Sequence, residues 1–491
     1  MAFFHGVRSR QVPTALVPSA RVGASLVMAF GCAPVHRLPA DIRDKALPGS
    51  IHLIFSNAEA AQLLGIDAAN DNFEKWGLSE VAFSQFTLFG NAPVIFANVF
   101  DPSVHFHSVT NETLEFTEGV AVLANPDVID DAVIKDSSAQ TVFVKDTDYT
   151  INPVTGVITA TQGASLESAI TQGAAISATY KYAAPQDVSA AEVIGGFDFT
   201  TGKSTGLELV EQAFPRFVSV PGILIAPNFS NDPTVAAILA AKTQNINGVF
   251  NAVCFADIPS QGQNAVKIYT DAAEYKNANN LTSPDLYLCY PKVKFGDRLM
   301  NMSTQAAGIM AIVDRENGDI PFASPSNKNL QCQAAIVDGE ELSLSLTQAN
   351  FLNQNGIATA LNFVGGWKMW GNRTTAYPAN TDPKDVFVSN RRFLAWYGNR
   401  LVLTWFQKVD FPINRRLIQT ILNSEAIFIN SLSAAGAVTG GRIEFNEEEN
   451  SILDLMDGNI LFHGFFGLVA PAEQIEFLLE YDPSYLQTLF A

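Results

Sequence analysis

The sequence predicts an α/β protein: a parallel-sheet core, a small all-β unit inserted into it, and an α+β C-terminal region, with an extended arm at each end. Three observations carry this. Short, wholly apolar runs alternate with helical stretches from Gly222 to Tyr290, which is the pattern of a parallel sheet with right-handed crossovers. Residues 103–184 consist instead of short strand-like runs separated by turn residues. From Asp382 onward, long amphipathic helical stretches are followed by strand-like runs.

Taken in order, residues 1–24 are extended in character. Gly6, Pro13 and Pro18 interrupt them, β-branched residues lie between, and no helical period is present. Ser25–Gly31 reads as a buried strand. In 103–184 the runs Val104–Ser108, Gly119–Leu123, Thr141–Val144, Gly156–Thr159 and Ala175–Tyr182 read as strands, and Asn152-Pro153-Val154-Thr155-Gly156 as a hairpin turn. Gly222–Pro227, Gly248–Ala256 and Asp285–Tyr290 read as sheet strands buried on both faces. Asp232-Pro233 starts the helix between the first two as N-cap and first helical residue, and a helix around Ala265–Asn277 precedes the third. Lys384–Gln407 is helical, Pro412 breaks it, and Arg415–Ala434 is a second helix. Gly440–Phe445, Ile460–Phe466 and Gln474–Tyr481 read as strands, and Pro483–Phe490 as a short closing helix. The expected division is arm 1–24, discontinuous core 25–102 and 185–380, insertion 103–184, and C-terminal region 381–491 with its own arm from about 474.

The chain has 491 residues and a formal net charge of −19, which argues against a nucleic-acid binder, since phosphates need basic surface. Charged residues are only 16% of it and apolar ones 47%, a surface poor in charge that suits a protein held in an assembly. No run reaches the roughly 18 consecutive apolar residues of a membrane helix, and the first residues lack the order of a secretory signal. Cys32, Cys254, Cys289 and Cys332 lie far apart, as free thiols of a reducing compartment would.

Catalytic motifs are weak. Gly202-Lys203-Ser204-Thr205-Gly206 fits a nucleophile elbow but lacks a buried strand before it. The simpler reading is a loop whose Thr205 caps a helix Gly206–Phe214. As a phosphate loop the same run is out of register, with Phe197 where glycine is needed. His105 and His107 read as exposed strand histidines. Asp146 and Asp148 begin like a calcium loop but lack its third ligand and glycine. No cofactor or metal site is expected. Two alternatives stay open on residues alone: a hydrolase using Ser204, and an adhesin or receptor-binding protein with 103–184 as its binding module.

Four stretches resemble a known family. They are His5-Gly6-Val7 with Val12-Pro13; Asp148–Thr159; Ala306–Arg315 with Ser324-Pro325-Ser326-Asn327; and a C-terminal set comprising Asp382–Arg392, Asn414-Arg415-Arg416, Gly441–Phe445 and Glu473–Asp482. In order along the chain they are similar to the sheath proteins of contractile tails, found in long-tailed phages, phage-tail-like bacteriocins and related injection machines. The resemblance implies a core of subtilisin-like topology without proteolysis. It implies six-fold rings stacked helically around an inner tail tube, with baseplate and tail terminator proteins as further partners and the virion tail as location. It also implies terminal arms that add strands to a sheet of neighbouring subunits, and a contraction, triggered at the baseplate, that drives the tube through the target envelope.

Charge sharpens that expectation. Residues 1–40 carry Arg8, Arg10, Arg21 and Arg37 and no acid, whereas 443–491 carry ten carboxylates and no Lys or Arg. Gly6–Val12, including Gly6, Val7, Arg8, Arg10 and Val12, and Ile475-Glu476-Phe477-Leu478-Leu479-Glu480-Tyr481 are the expected donated strands, with Arg8 or Arg10 near Glu476 or Glu480. The tube-facing candidates are Arg391, Arg392, Arg415 and Arg416, and the acidic set Glu447, Glu448, Asp454 and Asp457; the competing reading is that the four arginines pair with nearby carboxylates inside the subunit.

Overall fold

The computed structural model describes residues 23–137 and 141–490. The calls on Gly6, Val7, Arg8, Arg10 and Val12 therefore lie outside the described residues.

A nine-stranded sheet runs in the spatial order Lys328–Asn329, Trp367–Trp370, Ile357–Asn362, Leu286–Tyr290, Val253–Asp257, Ile223–Ile225, Val27–Gly31, Val94–Asn98, Ile51–Ile54. The six strands from Ile357–Asn362 to Val94–Asn98 are parallel. Antiparallel strands close both edges. The runs VMAFG, VIFAN, VCFAD and LYLCY are buried at every residue, because helices cover both faces. Local chemistry places those helices. Asp232 accepts from Thr234 N at 2.7 Å with Pro233 behind it, and Ser345 with Gln348 forms a capping box. Cys32, Cys254 and Cys289 are buried free thiols, and burial pushes their pKa values up, which keeps them unreactive.

Met302–Glu316 is the central helix of the core, and twelve of its fifteen residues are buried. Two carboxylates from elsewhere meet its first turn. Glu80 accepts from Asn301 N at 2.6 Å, Asn301 Nδ2 at 2.7 Å and Thr304 Oγ1 at 2.7 Å, while Asp257 accepts from Ser303 N at 2.9 Å. Burial pushes Glu80 up to about 7, against the nearby Lys292 charge and those hydrogen bonds, and burial raises Asp257 as well. The folded chain then holds a proton on Glu80 from about pH 4.5, the ordinary value, to about pH 7, where the unfolded chain has lost it. Stability should fall as pH rises through that window, by on the order of 2–4 kcal/mol for Glu80, and level off above it. Denaturant titrations from pH 4 to pH 8 should show this slope, and Glu80→Gln should reduce it to the part that Asp257 supplies. An unchanged slope in the variant would contradict the account.

Residues 106–183 build a separate small body. Phe106–Leu114, Ile176–Ala183 and Val128–Asp136 form one three-stranded antiparallel sheet; Val120–Val122, Val157–Ala160 and Tyr149–Asn152 form another. Leu114, Ile134, Phe143, Tyr149, Ile158 and Leu166 fill an apolar cluster of its own. The chain enters and leaves side by side, with Phe106 opposite Ala183 and Ala184 N donating to His105 O. Arg37 ties this body to the core, donating to Asp71 at 2.5 Å and Asp127 at 2.6 Å. A chain in which a short linker replaces 104–183 is expected to stay soluble and cooperatively folded. It loses one side of the Arg37 bridge, the His105–Glu192 contact, and from the main core Ala183, the packing of Phe106 and the Ile129 side chain, the last worth about 1.5–3 kcal/mol. A molten chain by near-ultraviolet circular dichroism would refute this independence.

Several local expectations need correction. Thr205 makes no capping bond, and the segment after it is a 3₁₀ helix, Gly206–Gln212, that passes into the α-helix Ala213–Phe217. Thr141–Val144 is not a strand; Val142 makes only an isolated bridge to Lys135 beside the sheet edge. His105 is buried rather than exposed, accepting from Asp101 N at 3.1 Å and lying 2.9 Å from Glu192 Oε1. Asp148 is used locally, accepting from Val144 N and Ser165 Oγ.

Candidate functional site

The C-terminal region stands on two helices, Val388–Trp405 and Arg415–Ala434. Pro412 falls in the loop between them, and Asn414 caps the second by accepting from Leu417 N at 2.9 Å. The first helix is docked on the core by polar contacts: Arg391 on Asp285, Arg392 on Asp314, and Asn399 with the Asn251 backbone at 2.7 and 2.8 Å. Between the helices a second apolar cluster gathers Phe393, Trp396, Tyr397, Ile429 and Leu432.

On that cluster lies a hairpin of only two strands, Val438–Glu444 and His463–Leu468. Phe466 presses its ring on Tyr397, with centroids 4.6 Å apart. Among the described residues neither strand has a second neighbour, so each outer edge presents unpaired backbone N–H and C=O groups.

The chain then leaves the body. Arg373 grips Glu473 through a two-pronged ion pair, with Nε to Oε1 at 2.8 Å, and lies over the Tyr377 ring. Beyond that grip, residues 474–486 are exposed throughout, and no helix or strand is formed before Pro483. The expected strand Gln474–Tyr481 is therefore not a strand within its own chain. Its pattern is nonetheless that of one: Ile475, Phe477, Leu479 and Tyr481 alternate along one side, with Glu476, Leu478 and Glu480 on the other. Phe477, Leu478 and Leu479 are 82%, 90% and 95% exposed. Apolar side chains in strand period thus stand in water, and the hairpin edges are open in the same region of the chain.

The charged candidates divide. Arg392 is 3% exposed and bonds Asp314 at 3.0 and 2.6 Å, so it faces no partner. Arg391 is held by Asp285 and Asp385. Arg392 is thereby corrected as a tube-facing residue, while Arg391 is partly exposed with its charge engaged inside the subunit; Asp314 and Asp285 are distant in sequence, and only the fold brings them into contact. Arg415 and Arg416 are exposed, in the first turn of their helix. Two cations at the positive end of a helix dipole cost about 0.3–1 kcal/mol each, so local stability does not explain them. Glu447, Glu448, Asp454 and Asp457 are exposed on the segment joining the hairpin strands. Ser204 lies mid-strand opposite Phe197, and positive φ values fall on Gly202 and Gly206, two residues to either side of it; an elbow needs its nucleophile at the turn itself.

Among known proteins, the "Tail sheath protein" of Burkholderia phage BcepMu aligns with this chain end to end, at 29% identity over 504 positions, covering 99% of this chain and 98% of that protein. Over its whole length the chain is therefore similar to a phage tail sheath protein. The "Putative prophage major tail sheath protein" of Pseudomonas aeruginosa is 28% identical over 61% of the chain and 75% of its own length. The sheath of an extracellular contractile injection system, PVC, in the contracted state shares the fold, with TM-score 0.57, 13% identity and 99% of both chains covered. So does the helical sheath of the anti-feeding prophage in its contracted state, with TM-score 0.56, 14% identity, and 97% of this chain and 98% of that one covered. A family described as "Protein of unknown function UCP028589" matches residues 97–193, the inserted β body and its flanks.

Proposed function

We propose that this chain is the structural subunit of a contractile tail sheath, polymerising around an inner tube and contracting to drive that tube through a target envelope. The full-length relationship to a phage tail sheath protein carries the reading. The open hairpin and the unpaired, apolar C-terminal segment supply the physical means, since each offers what the other lacks. The subunits stack as six-fold rings, with baseplate and terminator proteins at the ends of the tail. Assembly takes place in the cytoplasm of the bacterial host.

The same reading makes the chain a structural protein rather than an enzyme, on a core of subtilisin-like topology. The inserted β body, whose charge is three basic against ten acidic residues, lies at the outer surface. The C-terminal region lies innermost, and Arg415 and Arg416 meet the tube. Reversing both to Glu should abolish co-assembly with the cognate tube and leave the fold unchanged; tubes inside sheaths at wild-type frequency would reject that contact. Negative-stain microscopy of the purified chain tests the function itself. Hollow cylinders are expected, and discrete particles under all assembly conditions would overturn it.

A further inference from the structure

The point where the N-terminal segment joins the core is held by three separate parts of the molecule. Ala24 O accepts from Arg392 Nη2 at 3.1 Å, and Ser25 Oγ donates to Asp314 Oδ2 at 2.5 Å. Arg392 in turn bonds both oxygens of Asp314. Gly222 N donates to Leu26 O at 2.9 Å, and a Cβ at Gly222 would stand 2.1 Å from Ala24 O, so this close approach admits glycine alone. The next residue, Val27, opens a strand paired on both sides, with Ile223 and Val94. Ala24 also packs with Phe393 and Trp396 of the C-terminal region.

These contacts do more than fix a chain end. Asp314 belongs to the central core helix and Arg392 to the first helix of the C-terminal region. A pull on residues 1–23 is therefore divided at once among the parallel sheet, the core helix and the C-terminal body. Without them the first strand alone would carry it.

We propose that Ala24–Leu26, clamped by Ser25–Asp314–Arg392 and Gly222, is the anchor through which tension on the N-terminal segment is passed to the rest of the subunit. This rests on the sheath reading, in which neighbouring subunits are linked through their ends. Ser25, Asp314 and Arg392 are positioning residues: they hold the root of the link.

The test compares sheared sheaths of the full-length chain. Ser25→Ala removes one bond of the clamp at a partly exposed position, and Ser25→Thr keeps the hydroxyl. Ser79→Ala removes the same kind of bond, from Ser79 Oγ to Asp71 at 2.6 Å, away from the anchor. Under flow shear, with lengths read by negative-stain microscopy, Ser25→Ala sheaths should fragment roughly fivefold faster than wild type, the ratio that corresponds to one net hydrogen bond. Ser25→Thr should restore the wild-type rate, and Ser79→Ala should match Ser25→Ala in lowered melting temperature while fragmenting at the wild-type rate. Fragmentation at the wild-type rate in Ser25→Ala, or equal acceleration in Ser79→Ala, overturns the anchor and leaves the sheath reading intact. A wild-type chain that forms no cylinders overturns both.

Discussion

A chain truncated after Glu473 is expected to melt like the full-length protein and to sediment as single subunits or rings at concentrations where the full chain forms cylinders. The removed segment makes no strand or helix before Pro483 and buries almost nothing in its own subunit, so the fold loses little. The assembly loses much. Burying Ile475, Phe477, Leu479 and Tyr481 against a neighbour contributes about 1.5–3 kcal/mol each, and a paired strand adds roughly 1 kcal/mol per hydrogen bond, before ordering costs. A net loss of even about 5 kcal/mol per contact weakens association by more than a thousandfold. Deleting residues 1–14 should have the same effect from the other end. Electrostatics is tested separately. Reversing Arg8 and Arg10 to Glu should weaken assembly by up to about 1 kcal/mol per pair, and changing Glu476 and Glu480 to Lys in the same chain should restore part of it. Cylinders of wild-type length from either truncation would remove the arms from the account. Failure of the charge rescue alone would remove only its electrostatic component.

Arg400→Met should destabilise the chain by about 3–5 kcal/mol. The Glu425 carboxylate is fully buried and takes four hydrogen bonds: two from Arg400 at 2.8 Å, and one each from Tyr397 Oη and Trp405 Nε1 at 2.7 Å. Removing the guanidinium leaves that charge with two neutral donors in an apolar setting, and removes a cation that lies 3.7 Å from the centre of the Phe428 ring. Adding Glu425→Leu removes the stranded charge and should recover a large part of the loss. Urea denaturation of the two single variants and the double variant measures this coupling. A loss under about 1 kcal/mol for Arg400→Met would show that water reaches Glu425 and that the two helices are not held there. Because the hairpin packs on this helix pair through Phe466 and Tyr397, the variant should also assemble poorly.

What was legible in the sequence follows from where each contact partner lies. Val27–Gly31, Val253–Asp257 and Leu286–Tyr290 are apolar at nearly every position, and a strand covered on both faces has no other pattern, so the parallel sheet could be read directly. The helices Val388–Trp405 and Arg415–Ala434 were equally visible, with Pro412 marking the break. The burial of Arg392 was not, because nothing near it in sequence suggests Asp314 as its partner. His105 was misread for the same reason: Glu192, its partner, lies beyond the whole inserted body. The strand period of Ile475–Tyr481 was legible as a pattern, and the chain forms no strand there by itself, as a segment expected to pair with a neighbour would not. The network around Glu80 gave no signal, because a lone Glu in an apolar stretch does not announce the helix N-terminus it will meet.

The central claim is that the two-stranded hairpin is an unfinished sheet, completed by other subunits. A helical reconstruction of assembled cylinders by electron cryomicroscopy, at a resolution that traces strands, tests it most directly. The account predicts additional strands hydrogen-bonded to the outer edges of Val438–Glu444 and His463–Leu468, one of them Ile475–Tyr481 of a neighbouring subunit. A hairpin still two-stranded in the assembled wall, with Ile475–Tyr481 packed elsewhere, would contradict it.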